Sequence, residues 1–401
     1  MKQIKPEKTE ITIGYVPLTD CATLIAASEK GFFKKHGLDV TLSREASWAN
    51  IRDKVAYGII DAAQMLATMP VATTLGIGGW KKEIVSSFVL SANGNAITIS
   101  STLYKALKTI DPTFDQSKPV KADSLKKLID MRKQKGEPLL NFAHVFPSST
   151  HNYLLRYWLA SAGIDPDHDV KLSVIPPMQM VENLEAGIVD GFCVGAPWNQ
   201  YAVARGNAHI LISSYEIWNN APDKVLGMTR EWAYNNPGTH RALIMALVEA
   251  AQWADKAEHR EELAELLALE QYIDLPVDII RNCLIGSYPF STQGEPEQLP
   301  DFHLFYRYAS TFPWFSHMAW YIEQMMRWGD MPENMDVKNI IKDIYWVDFY
   351  RQVFDDMQLD YPLANQKSEG VHADDWQIES KQGQLTLSAD LFFDGEHFDI
   401  T

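Results

Sequence analysis

The feature that most constrains this chain is an internal repeat. Ile11-Thr12-Ile13-Gly14-Tyr15-Val16 is a β-rich run ended by Pro17. Residues 18–30 then carry a helical pattern with Thr19 or Asp20 as its expected N-cap. Gly31 to Gly37 close it, and Leu38 to Leu42 alternate as a strand does. Further on, Leu140 to Phe146 is again a β-type run, ended by Pro147. Ser148-Ser149-Thr150 offers N-caps, residues 151–162 are apolar at helical spacing, and Val170 to Val174 follow as a strand. Ser47-Trp48 opens a helix that ends at Gly58, and Pro177-Met178 opens one that ends at Gly187. The two prolines stand 130 positions apart, and Asp61 and Asp190 stand 129 apart. Each unit reads strand, helix, strand, helix, strand.

Two such units predict an α/β fold with two doubly wound lobes and right-handed crossovers. In such sheets ligands sit at the carboxyl ends of strands, where helices begin. Those places are Pro17–Thr19, Ser47-Trp48, Phe146–His151, Pro177-Met178 and Val194–Trp198. Helix N-termini present free N–H groups and a positive dipole end, so a cleft between the lobes suits a small anion. Residues 8–110 are expected to begin lobe 1 and residues 111–215 to form lobe 2. Residues 216–362 complete lobe 1 with a helical, aromatic-rich extension, and residues 363–401 form a C-terminal extension. Residues 222–235 read as a helix.

Composition narrows the function. The chain has 401 residues and a net charge of −16, which repels nucleic-acid phosphates and disfavours direct nucleic-acid binding. No run of 18 apolar residues is present, so no membrane span is expected. Three cysteines, Cys21, Cys193 and Cys283, give neither a disulfide framework nor a CxxC metal pair. The charged run Met1 to Lys8 has no apolar h-region, so a cytoplasmic location is expected, and a periplasmic one if a signal segment has been removed. Neither a nucleophile elbow nor a metalloprotease helix is present, and the chain is not expected to be an enzyme or to hold a cofactor or metal.

A few residues fall at the mouth of the expected cleft. Trp48 follows Ser47 at a helix start, where its indole N–H can point at a ligand. His151 holds the equivalent place in the other unit. Pro177 would shape the wall, and Gly195 allows close backbone approach. Lys224, at the expected start of the 222–235 helix, sits where the dipole disfavours a cation, and a bound anion would compensate it.

Several runs together resemble the nitrate- and bicarbonate-binding branch of the ABC-transporter solute-binding proteins, the NrtA/CmpA group. They are Gly14 to Cys21, Glu45-Ala46-Ser47-Trp48, Asn93 to Thr98, Phe146 to His151, Arg156 to Ala160, Ala196-Pro197-Trp198 and Thr311-Phe312-Pro313-Trp314. The resemblance implies a type II periplasmic-binding-protein (Venus-flytrap) fold. It also implies ligand contacts at Trp48, Asn95, His151, Pro177, Gly195 and Lys224, with Asn95 where relatives usually carry Gln. A lysine at position 224 implies nitrate or nitrite rather than bicarbonate with a metal. Within the branch the chain looks most like the cytoplasmic nitrate/nitrite sensors of the NasS type, whose partner is an RNA-binding antiterminator protein. The aromatic segment 302–328 is then a candidate partner surface. The alternative is the binding component of a nitrate/nitrite or bicarbonate ABC transporter, with an ABC permease as partner. A third and weaker alternative is a thiamine-pyrimidine-type enzyme on the same fold.

Overall fold

The computed structural model describes residues 5–400; the beginning of the charged N-terminal run and Thr401 lie outside them. The repeat is visible as two sheets. In the first, β1 (Glu10–Tyr15) lies between β2 (Asp39–Arg44) and β3 (Ala62–Leu66), all parallel. Strands β4 (Ile84–Val85) and β5 (Val89–Asn93) belong to the same sheet, and β6 (Asn95–Ser100) to the second. There β7 (Asn141–His144) lies between β8 (Lys171–Val174) and β9 (Gly191–Gly195), again all parallel. The order 2-1-3 in one lobe is thus repeated as 8-7-9 in the other, as the spacing of the repeat requires.

Neither sheet is purely parallel. Strand β6 runs antiparallel to β9 and carries β10 (Ala208–Ser213) on its far side. Strand β11 (Pro222–Thr229) runs antiparallel to β3 and β5. The chain crosses from the first sheet to the second between β5 and β6, at Gly94, and returns between β10 and β11. Gly94 has φ +82°, and a side chain there would run into the His303 ring. The crossing falls earlier than expected: residues 95–110, assigned to lobe 1 from the sequence, go with the second sheet.

The sequence misread residues 222–235. Only Arg230–Asn235 is helical, and Pro222–Thr229 is β11. All eight residues of β11 are buried, so its sequence shows no alternation, and an apolar run of this kind does not separate strand from helix. Thr19 and Asp20 do not cap a helix through their side chains either; they sit in a 3-10 turn, Thr19–Cys21, that leads into the helix Ala22–Glu29.

The remainder packs against both lobes. Strands β12 (Ser287–Tyr288) and β13 (Glu297–Gln298) pair with each other, and β14 (His303–Leu304) adds to β5 at the sheet edge. The aromatic segment is core: Phe302, Phe305, Phe312, Trp314, Trp320 and Tyr321 are all buried. It is therefore not an open surface for a partner, because its rings are spent on packing the extension against both lobes. Residues 363–400 include the hairpin β15 (Trp376–Ser380) and β16 (Gly383–Leu387). Phe392 of this tail stacks on Trp218, beside the return crossing. No helix among the described residues is long and apolar enough to cross a membrane.

Candidate functional site

The lobes meet face to face where the strands end. Thr19 N donates to Ala196 O at 2.9 Å, Trp198 Nε1 to Pro17 O at 3.3 Å, and Thr150 Oγ1 to Asp223 Oδ1 at 3.1 Å. Thr68 Oγ1 donates to Ser148 O across the same gap. The cleft is closed by these bonds, and its lining is buried.

Lys224 lies at its centre, on β11 rather than at a helix start. Its compensation comes from the protein itself: Nζ lies 2.5 Å from Asp223 Oδ2 and 2.8 Å from Asp20 Oδ2, with all three side chains buried. Burial disfavours the ammonium, but the two carboxylates outweigh that and its pKa ends above the usual lysine value. The acids separate, as two carboxylates sharing one cation must. Burial raises Asp223, yet Lys224 outweighs it and holds it low; the Asn95 side chain adds to this. Asp20 is pushed up to about 7 by burial, with Lys224 pulling down and Asp223 pushing up. Gln64 Nε2 donates to the other oxygen of Asp20, while Gln64 Oε1 accepts from Val16 N.

Around this cluster stand the aromatic groups. The helix Trp48–Ala56 begins at Trp48 because Ser47 caps it, its side chain accepting from Asn50 N at 3.2 Å. The Trp48 ring centroid is 5.3 Å from Lys224 Nζ, a cation–π contact, and Trp48 Nε1 is buried with no protein partner. Ser149 caps the helix Thr150–Ser161 in the same way, accepting from Asn152 N at 3.0 Å. That cap fixes the first turn, which holds Thr150 on Asp223 and His151 in the cleft. Burial, then Lys224, push the His151 pKa down to about 3, so the imidazole is neutral. Its Nδ1 faces Thr150 Oγ1 at 3.4 Å, and its Nε2 has no partner.

Asn95 begins β6 just past the Gly94 crossing. Its backbone N donates to Ser214 Oγ at 3.1 Å, and its Oδ1 is buried without a partner. A Cβ on Gly195 would stand 3.2 Å from Asp20 Oδ2 and 3.3 Å from Asn95 Oδ1, tighter than ordinary packing, so glycine preserves the space there. Trp48, Asn95, His151, Gly195 and Lys224 are thus brought to one cluster. Pro177 is buried at the start of a 3-10 turn after β8, with no hydrogen bond or ring contact to the other five among the described residues.

Asp20, Gln64, Asp223 and Tyr321 also belong to the cluster and by themselves carry no ligand signal in the sequence, and Thr150, expected there as a cap candidate, is a partner of Asp223. Asp20 was read as a helix cap. The Tyr321 hydroxyl, from the helix Phe315–Arg327, is buried without a partner and near enough to Asp223 for that charge to help raise its pKa. The adjacent pair Asp223-Lys224 was the one available signal, since a lysine buried in a strand needs a carboxylate. Cys21 and Cys193 lie near these charges, but burial raises both thiols, so neither is an activated nucleophile. No cluster of His, Cys, Asp or Glu among the described residues has a metal-holding arrangement.

Two closed α/β lobes around a buried polar cluster are the architecture of the solute-binding-protein fold. A profile of the NMT1-like family matches residues 4–268, and the chain belongs to that family. Over 403 residues it is 31% identical to the nitrate/nitrite binding protein NrtA of Nostoc sp. PCC 7120, covering 98% of this chain and 84% of that one. The crystal structure of the periplasmic nitrate-binding protein NrtA from Synechocystis PCC 6803 superposes with a TM-score of 0.85 at 30% identity, covering 98% and 96% of the two chains. The type II binding-protein fold and the NrtA/CmpA resemblance therefore hold, and the NrtA relatives are binding proteins rather than enzymes. The chain is also 43% identical over 335 residues to the nitrate import ATP-binding protein NrtC of Synechocystis sp. PCC 6803. That match covers 82% of this chain and 48% of NrtC, so the chain spans about half the length of the ATP-binding proteins it matches.

Proposed function

We propose that this chain binds nitrate or nitrite in the interlobe cleft, against Trp48, Asn95, His151, Gly195 and Lys224, with Pro177 shaping the wall, and that it serves as the binding component of an ABC importer. One observation carries the reading: a buried ammonium with two buried ring nitrogens beside it, Trp48 Nε1 and His151 Nε2, that the protein leaves unpartnered. Such groups cost about 1–3 kcal/mol each if nothing bonds to them, which a planar oxyanion relieves. Lys224 also removes the carboxylate that a metal-assisted bicarbonate site would need at this position. The NrtA likeness supports the importer role, an ABC permease as partner, and a periplasmic location.

A second reading keeps the site and changes the role. The identity of 43% is to an ATP-binding import protein, against 31% to a nitrate/nitrite binding protein. A match within an ATP-binding protein suits a compartment that holds ATP. This favours a cytoplasmic nitrate/nitrite sensor, with an RNA-binding antiterminator protein as partner, because a chain of net charge −16 leaves RNA contact to another protein. Titration calorimetry with nitrate and nitrite tests the site: Lys224→Ala or Lys224→Glu abolishes binding, and undiminished binding in either overturns the assignment. Copurification of an RNA-binding protein, released by nitrate, decides for the sensor; association with a permease decides for the importer.

A further inference from the structure

An anion entering this cleft meets a charge problem that the cluster itself defines. With both acids ionised, Asp20, Asp223 and Lys224 carry a net charge of −1 in a fully buried site. Adding nitrate would put two net negative charges out of water, which burial strongly disfavours. The helix starts at Trp48 and Thr150 and the nearby N–H groups offer partial positive charge for one such charge, not for two. We infer that each anion bound in the cleft brings one proton with it, held on the carboxyl group of Asp20.

The geometry singles out Asp20 among the groups around it. Asp223 accepts from Thr150 Oγ1 and sits 2.5 Å from Lys224 Nζ, so it keeps its charge. Asp20 has the longer contact to Lys224, 2.8 Å, and its other oxygen meets a neutral amide, Gln64. Its Oδ2 also lies on the Gly195 side, against the space that glycine preserves. The remaining titratable groups facing the cluster are His151, His303, Cys21, Cys193 and Tyr321. His151 and His303 are held neutral, each pushed down to about 3 chiefly by burial. The two thiols and the phenol keep their protons because burial raises them. Asp20 alone stands near neutrality in the free protein, so it takes a proton at the smallest cost. The protonated carboxyl leaves a neutral cluster, and the anion becomes the only net charge in the cleft.

This inference rests on nitrate occupying the cleft, and the test separates the two claims. Calorimetric titration of nitrate into the intact protein, in buffers of low and high ionisation enthalpy, reads the protons taken up per anion bound. At about pH 8 the expected uptake is close to one, and it falls toward zero below about pH 6, where Asp20 is already protonated. Apparent Kd rises up to about tenfold per pH unit above about pH 7. Asp20→Asn carries a neutral group permanently, so its uptake is near zero, its Kd is flat with pH, and it binds more tightly than wild type at about pH 8. Nitrate binding without proton uptake at that pH overturns the inference and leaves the site standing. Uptake that persists in a folded Asp20→Asn protein also overturns it, since the proton is then elsewhere. Absence of nitrate binding at any pH removes the proposed function instead.

Discussion

Lys224 in the cleft and Lys367 in the C-terminal extension each lie buried against two carboxylates, yet the two clusters are finished differently. Lys367 Nζ is 2.5 Å from Glu369 Oε2 and 3.7 Å from Asp390 Oδ2. The other Glu369 oxygen accepts from Ser316 Oγ at 2.7 Å and faces His317 Nε2 at 3.4 Å. Asp390 accepts from the backbone N of Val371 and His372 and faces His372 Nδ1 at 2.7 Å. Every acid oxygen there has a protein partner. His317 Nε2 lacks a hydrogen bond beside that network, whereas in the cleft the ring nitrogens of Trp48 and His151 and the Asn95 carbonyl are all left over. A buried network whose acids are satisfied within the chain ties the tail down; one that leaves several groups over is available to a ligand.

The sharpest way to break this contrast is to open the completed network. Glu369→Gln removes one partner of a buried pair, and a loss of about 3–5 kcal/mol in unfolding free energy is expected from urea titration. Burial raises the Glu369 carboxyl, but Lys367 and His317 outweigh it and hold it at about 2. A depressed carboxyl contributes stability that is complete above its ordinary value of 4.5 and is lost as pH falls through about 2. The variant's acid-unfolding profile should therefore be flatter over that window than wild type. Nitrate affinity of the folded variant should change less than about twofold if the networks are independent. A larger loss would mean that the helix shared by Ser316, His317 and Tyr321 sets the cleft's geometry.

The cleft network is sharpened by a smaller change. Trp48→Phe keeps a ring beside Lys224 and deletes only the unpartnered N–H. Calorimetry should show nitrate binding about tenfold weaker, the worth of one hydrogen bond to a charged group. Unchanged affinity would take Trp48 Nε1 out of the site and make its missing partner a packing accident.

The repeat made the lobes legible because glycine and proline punctuation is local. Gly58 and Gly187 have φ near +70°, a backbone state that marks a helix end wherever it occurs. The caps Ser47 and Ser149 were legible for the same reason. The cluster's centre was not. Lys224 read as a helix-start residue because Pro222-Asp223 is a common helix opening, and only the pairing of β11 with β3 and β5 places it in a sheet. Asp20 and Gln64 come to Lys224 from residues far away in the chain, and no spacing rule encodes such a meeting. The Gly94 crossing was hidden because nothing local in the sequence shows that β5 and β6 join different sheets.

The smallest effect tests whether the helix start or the side chains on it hold the anion. Ser149→Ala removes the cap of Thr150–Ser161 and should cost about 1 kcal/mol of stability, read by urea unfolding. Fraying of that first turn loosens Thr150 from Asp223 and His151 from the cleft, so nitrate affinity should fall as well, by only a few-fold, because tertiary packing retains Tyr153, Leu154 and the turns that follow. Asp223 would then lose a donor while keeping Lys224, which is why the effect stays below that of Trp48→Phe. If Ser149→Ala weakens binding more than Trp48→Phe does, the backbone N–H groups of the helix start carry the anion, and the indole and imidazole nitrogens only line the wall.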